Sequence, residues 1–248
     1  MINLYNGDCL IEMQNIEDQS IDMILCDLPY GTTSCKWDTV IPFEPLWVQY
    51  ERIIKNNGAI VLFGAEPFAS RLRTSNLKIY KYDWIWKKSK AQHFAQAPYR
   101  PMTEHETISV FSYGGTAKNA MPRMKYNPQG VEDCHIECKG KKASHSEHRI
   151  RKSDQENYVQ TKTNYPRTIL QFNNCSKPEH PTQKPIPLLE YLIKTYTDEN
   201  DLILDNCMGS GSTVIACINT KRKFIGIEKD KKYFDLAKER IEKHVKEI

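Results

Sequence analysis

Asp27-Leu28-Pro29-Tyr30 sets an acid, a proline and an aromatic ring directly behind the apolar run Ile21–Cys26. These residue types suit chemistry on a flat amine. Asp27 can accept a hydrogen bond from an exocyclic N–H, and the peptide carbonyl of Leu28 can accept a second. Tyr30 can stack on a planar ring, a contact worth about 1–3 kcal/mol per base in single-strand binders. Two acceptors on one amino group draw its lone pair out of conjugation and toward a methyl donor. Ordinary strand-end turns use the same residue types, so the tetrapeptide alone leaves the chemistry open.

A second constellation lies near the other end. Leu202-Ile203-Leu204-Asp205 is followed by Asn206-Cys207-Met208-Gly209-Ser210-Gly211-Ser212-Thr213, which reads as a strand, a glycine turn and a helix start. Glycines let backbone approach a ligand and adopt positive φ. Asp205, at the strand end, can hold a cationic amine. Glu228 closes the next apolar run, Phe224-Ile225-Gly226-Ile227, about 20 residues after the turn, the spacing of an acid that grips ribose hydroxyls. The turn has no third fingerprint glycine and no Lys or Arg, so a pyrophosphate fits it poorly. A nucleoside bearing a positive sulfonium and an amino-acid tail fits two acids and a glycine turn better, and a nicotinamide dehydrogenase is disfavoured.

The elements that must position these residues alternate. Short apolar strands are expected at Ile2–Tyr5, Ile21–Cys26, Ala59–Phe63, Tyr80–Trp86, Thr107–Phe111, Leu202–Leu204 and Phe224–Ile227. Helices are expected after Asp8, over Phe43–Ile54 with Asn56-Asn57-Gly58 as a stop, from Pro67 to Ser75, and over Pro187–Thr197, Ser212–Ile218 and Lys231–Val245. This alternation argues for a doubly wound, mostly parallel α/β sheet.

The 248 residues suffice for one large α/β domain with an insertion. No apolar stretch is long enough for a bilayer. Met1–Gly7 does not read as a signal peptide, so a cytoplasmic setting is expected, with the eight cysteines reduced and used as small hydrophobes. A formal charge of +4 says little about a polyanionic partner.

Taken together, the motifs resemble those of the circularly permuted, beta-class amino DNA methyltransferases. That family carries a D-P-P-Y tetrapeptide early and a D-x-x-x-G-S-G-T-like loop late, matched by Asp27–Tyr30, with Leu28 as the departure, and by Asp205–Thr213. His180-Pro181-Thr182-Gln183-Lys184-Pro185, Asn6-Gly7-Asp8-Cys9, Phe224–Glu228 with Tyr233, and Trp84–Lys87 with Glu104–Glu106 fit further family segments. The resemblance implies a Rossmann-like methyltransferase fold, circularly permuted, with seven strands in the spatial order Ile2, Phe224, Leu202, Ile21, Ala59, Thr107, Tyr80 by first residue. It implies S-adenosyl-L-methionine as cofactor, held by Asp8, Asp205, Gly209, Gly211, Thr213 and Glu228, with Thr182 and Lys184 near its carboxylate. It implies a flipped adenine in double-stranded DNA as target, handled by Asp27, Leu28, Pro29 and Tyr30. No metal is required. Leucine keeps the backbone carbonyl but loses proline's fixed φ. A cognate restriction endonuclease and a homodimer stay open as partners.

The expected organisation is a catalytic half over 1–113, an inserted target-recognition region over 114–170, and a cofactor-binding half over 171–248. The insertion carries eleven basic and six acidic residues, an excess of five positive charges, more than the whole chain's +4. Lys139, Lys141 and Lys142 form its densest basic run and are expected to meet DNA phosphates. Cys134, His135, Cys138, His145 and His148 invite a zinc reading, but the two latter histidines stand only three apart and follow too closely, which disfavours metal. A methyltransferase acting on RNA or on protein glutamine, and a non-catalytic DNA-binding protein on the same fold, remain as alternatives.

Overall fold

The computed structural model describes residues 1–32, 38–140, 144–146, 149–151, 156–174 and 183–247. In chain order the elements are β1 (Ile2–Asn6), α1 (Cys9–Glu12), β2 (Ile21–Cys26), α2 (Phe43–Ile53), β3 (Ile54–Gly64), α3 (Phe68–Ser75), β4 (Tyr80–Gln92) and β5 (Thr103–Phe111). There follow β6 (Glu132–Cys138), β7 (Ser144–Ser146), β8 (Arg149–Arg151), β9 (Tyr158–Thr163) and β10 (Ile169–Gln171). The chain then runs through α4 (Ile186–Tyr196), β11 (Leu202–Asp205), α5 (Ser212–Asn219), β12 (Lys223–Glu228) and α6 (Lys231–Glu247).

Among the described residues the main sheet has eight strands in the order β1-β12-β11-β2-β3-β5-β4-β10. The first seven follow the spatial order that the resemblance implied. The run from β1 to β3 is parallel, β5 is antiparallel to both β3 and β4, and β10 lies parallel to β4. The eighth strand, pairing Ile169 with Ile85, is three residues long and too short to leave a periodic signal.

β2 sits at the centre because both of its faces are apolar. Met23 and Leu25 enter one core with Leu188, Leu192 and Ile193 of α4, Val214 and Ala216 of α5 and Ala237 of α6. Ile24 and Cys26 enter the other with Met13, Leu46 and Tyr50 of α2, and Phe68 and Leu72 of α3. Helices therefore cover both faces, as a doubly wound sheet requires. In α2 the buried positions Leu46, Trp47, Tyr50 and Ile53 recur at helical spacing. The expected stop at Asn56-Asn57-Gly58 is not a loop: the chain leaves α2 at Ile54 straight into β3, whose Asn56 and Asn57 stay exposed.

The chain divides into two compact units, 1–127 with 168–248, and 128–167. Residues 114–127 and 168–170 thus belong to the larger unit. Met124 is buried there, Lys125 binds Asp198 (2.9 Å) and Asp201 (2.7 Å), and the Asn127 amide donates to Thr195 O (2.7 Å). The smaller unit holds the antiparallel pairs β6–β9 and β7–β8. Among the described residues no helix is long and apolar enough to cross a membrane.

Candidate active site

In the parallel run β1-β12-β11-β2 every strand delivers an acid to the same carboxyl edge: Asp8 just past β1, Glu228, Asp205, and Asp27 just past β2. All four line one cleft of about 820 Å³. Open α/β sheets bind ligands at this edge.

On one side the glycine turn shapes the cleft. Gly209 and Gly211 have φ of +52° and +79°, where L side chains are strained. The Gly209 amide donates to Glu228 Oε2 (2.9 Å), so the second acid braces the turn that the first begins. Asp205 is buried. Its Oδ2 accepts from Thr213 Oγ (2.6 Å) and its Oδ1 from the Cys207 amide (3.1 Å). Burial pushes its carboxyl up to about 6 against the pull of those donors. Burial likewise raises Glu228. Asp8 caps α1 through the Leu10 amide (3.0 Å), and the Lys229 ammonium (2.9 Å) holds its carboxyl below the usual range. Ser212, the first residue of α5, lines the cleft with a buried hydroxyl that has no partner among the described residues.

On the other side lies Asp27. Its Oδ1 accepts from the Tyr30 hydroxyl (2.7 Å), and its Oδ2 accepts from Lys184 Nζ. The Tyr30 ring stacks on Phe68 with centroids 4.9 Å apart. Lys184 stands 3.4 Å from Glu106 Oε2 and 5.0 Å from the centre of the Phe63 ring. Glu106 Oε1 accepts from Lys88 Nζ (2.5 Å), which also donates to Gln92 Oε1 (2.9 Å). Two acids and two lysines thus form a buried, charge-balanced cluster. Burial raises the Asp27 carboxyl, with the Lys184 ammonium opposing. Burial alone would lower Lys184, but Asp27 and Glu106 hold it protonated. The same lysines keep Glu106 ionised despite its burial.

Lys184, expected near a cofactor carboxylate, lines the same cleft and donates to the tetrapeptide acid. Thr182, expected beside it, lies outside the described residues, as do Lys141 and Lys142. Lys139 belongs to the smaller unit and is exposed. Leu28 is only 3% exposed and packs in the α2–α3 core, so side-chain burial anchors the loop where proline's ring would stiffen it. Among the described residues no cluster of three or more His, Cys, Asp or Glu could hold a metal ion, and Cys134 donates its thiol to Gln160 O (3.3 Å).

Several site residues escaped the sequence reading. Asp38 accepts from the Gly31 and Thr32 amides (2.8 and 2.9 Å) and so ties down the chain after the tetrapeptide. Tyr50 donates to Asn206 Oδ1 (2.5 Å) beneath the glycine turn. Lys88 and Glu106 had one legible signal: strand periodicity puts Lys88 on the face of Trp84 and Trp86, and Glu106 on that of Ile108, so both charges point inward.

Comparison with known proteins adds an independent line. The sequence profile of the DNA methylase family matches residues 21–239. The Type II methyltransferase M.HpaI of Haemophilus parainfluenzae is 26% identical over 93% of this chain and 71% of its own length. The DNA adenine methyltransferase YhdJ of Escherichia coli (strain K12) is 26% identical over 96% of this chain and 82% of its own. The crystal structure of the M1.HpyAVI–SAM complex superposes with a TM-score of 0.62 at 25% identity, covering 97% of this chain and 100% of that one. With the profile spanning both the tetrapeptide and the glycine turn, the chain belongs to the DNA methylase family.

Proposed function

We propose that this DNA methylase transfers a methyl group from S-adenosylmethionine to the exocyclic amino group of adenine in double-stranded DNA, and that it is of the circularly permuted, beta-class type. The observation that carries the reading is one cleft holding, side by side, a braced glycine turn between two acids and a buried carboxylate followed by Leu28-Pro29-Tyr30. Support for the target comes from YhdJ, named a DNA adenine methyltransferase, and support for the cofactor from M1.HpyAVI, solved with SAM.

The chain's own groups fit such a cofactor. The acids Asp8, Asp205 and Glu228 face the cleft with Lys229 as their nearby cation, which suits a cationic ligand. The partnerless Ser212 hydroxyl at the start of α5 is a ready donor for a carboxylate. When bound, S-adenosylmethionine supplies an electrophilic methyl group. Asp205 holds its amino group, Ser212 and Thr213 face its carboxylate end, Glu228 takes the ribose hydroxyls, and Asp8 meets its adenine.

The target adenine leaves the DNA stack to reach Asp27. Asp27 and the Leu28 carbonyl each accept one N–H of its amino group, and the Tyr30 ring packs on the base face. As the amine gains a methyl group it sheds a proton, and Asp27 receives it. Burial makes Asp27 a better acceptor than an exposed carboxylate, while Lys184 keeps it ionised beforehand. Residues 114–170, with Lys139, Lys141 and Lys142, supply phosphate contacts and sequence recognition.

The test is nucleoside analysis of duplex DNA incubated with the protein and S-adenosylmethionine. N6-methyladenine is expected, and Asp27→Ala should abolish it while leaving calorimetric cofactor affinity unchanged. N4-methylcytosine as the sole product would overturn the target assignment.

A further inference from the structure

β4 and β5 run on together past the ends of the strands beside them. β3 ends at Gly64, which pairs with Thr107, yet β5 begins at Thr103. β4 runs on past Lys87, its last contact with β10, to Gln92, which pairs with Thr103. Because β4 points the same way as β2 and β3, this overhang projects from the carboxyl edge, where the cleft opens. At about 3.3 Å per residue, Thr107 to Thr103 carries the ribbon roughly 13 Å beyond the end of β3, with β4 bulged between Lys87 and Gln92. Its base is part of the cleft wall, through Trp86, Lys88 and Gln92.

The ribbon's composition is unusual for a solvent-exposed turn. From Lys87 to Thr103 there is no acid, while Lys87, Lys88, Lys90 and Arg100 are basic. Lys88 is committed to Glu106, and Lys87 is 3.9 Å from Glu104, whereas Lys90 and Arg100 are exposed. At the tip, Phe94 and Tyr99 are 81% and 88% exposed. The tip is itself ordered: Phe94–Gln96 forms a 3-10 turn, and the amides of Tyr99 and Arg100 both donate to Gln96 O (2.9 and 3.1 Å). Large aromatic rings held out to solvent beside positive charge are the elements of a stacking platform for nucleic acid. A two-stranded ribbon also fits the major groove of B-DNA, about 12 Å wide.

We propose that the β4–β5 ribbon is a DNA-binding element separate in sequence from residues 114–170, with Lys90 and Arg100 on phosphates and Phe94 and Tyr99 stacked on bases beside the extruded adenine. The inference rests on the adenine reading above for its target but not for its binding assay.

The experiment uses the full chain and a duplex whose methylated site has been mapped with the parent protein. Lys90→Ala/Arg100→Ala should weaken DNA binding at least tenfold at low salt. It should also lower the log–log salt slope by roughly 1–2, at about 0.9 per phosphate contact. Phe94→Ala/Tyr99→Ala should keep that slope and lose the fluorescence rise of 2-aminopurine at the target position. It should regain methylation rate on a target facing an abasic site, where extrusion costs less. Cofactor affinity should be unchanged in both. Parental affinity, slope and fluorescence in both variants would overturn the proposal, as would a change confined to oligomeric state in sedimentation, which would make the tip a self-association surface. A parent that binds DNA without methylating adenine would sink the adenine reading and leave the slope test of the ribbon intact.

Discussion

Replacing Lys184 by Met removes the cation between Asp27 and Glu106 while keeping most of the buried stem. Lys88 still neutralises Glu106, so the loss falls on Asp27. Two unit charges about 4 Å apart attract by about 4 kcal/mol at an effective dielectric constant of 20. The Asp27 side chain is 22% exposed and Lys184 only 7%. Allowing for that screening leaves about 2 kcal/mol, roughly thirtyfold in the ionised fraction of Asp27. The sign follows from the role. Without Lys184 the carboxyl is raised further, so the proton acceptor is present only at higher pH. The acid limb of the single-turnover rate should therefore move to higher pH, with a loss of about thirtyfold on that limb and recovery under alkaline conditions. Calorimetry should find cofactor affinity within a factor of two of the parent. Lys184→Arg, which keeps the charge, should restore most of the profile. Removing one member of a buried pair can cost about 3–5 kcal/mol of stability. Lys184→Gln, which keeps a hydrogen-bond donor beside Asp27 and leaves the Lys88–Glu106 pair intact, therefore gives the same test in a less strained background. A folded Lys184→Met protein with the parental pH profile would refute the claim that this lysine governs the charge on Asp27.

Two further outcomes follow from the cleft and the basic segment. Burial holds the Asp205 carboxyl up at about 6, and its carboxylate form is the one that attracts a cation, so calorimetric cofactor affinity should fall as the pH drops through 6 in the parent; Asp205→Asn should bind more weakly at neutral pH and lose much of that dependence, the raised Glu228 carboxyl keeping the rest. Replacing Lys139, Lys141 and Lys142 together by Ala should leave cofactor affinity intact and weaken DNA binding most at low salt, and an unchanged filter-binding slope would make that run a solvated face.

The strands and the acids at the carboxyl edge were legible because each parallel strand is a short apolar run ending in a distinct polar residue, whereas the order of the strands in space came from the resemblance of the motifs. Asp27, Asp205 and Glu228 each stand where such a run stops. The Lys88–Glu106–Lys184 cluster was harder to see, since its members come from β4, β5 and the approach to α4, and only pairing brings them together. The bond from Lys184 to Asp27 was not legible either, because the sequence records a residue's neighbours in the chain but not the burial that brings it onto another strand's acid. Leu28 read as a loosened proline position, although its side chain is core. The residues after Tyr113 read as polar loop because β6 and β9 expose nearly every side chain, so neither alternates in hydropathy. Lys125 counted toward that segment's charge yet is spent on Asp198 and Asp201.

The pairing of β1 with β12 has a consequence in time. Asn6 meets Glu228 across 222 positions of chain, and Asp8 and Glu228 belong to one cleft. At a ribosomal rate of about 5–20 residues per second, roughly 10–45 s separate the synthesis of the two. Throughout that interval β1 lacks its partner, and for roughly the last 1–5 s of it β11, once made, lacks one edge, so unpaired strand edges are open to other nascent chains. The ligand cannot help, because its site does not exist until β12 slots between them, and only then does binding add to stability. Assembly of the centre of this sheet is thus a late event that waits on the last sixth of the residues, and a chaperone that shields β1 and β11 until then should raise the yield of active protein more than added cofactor does.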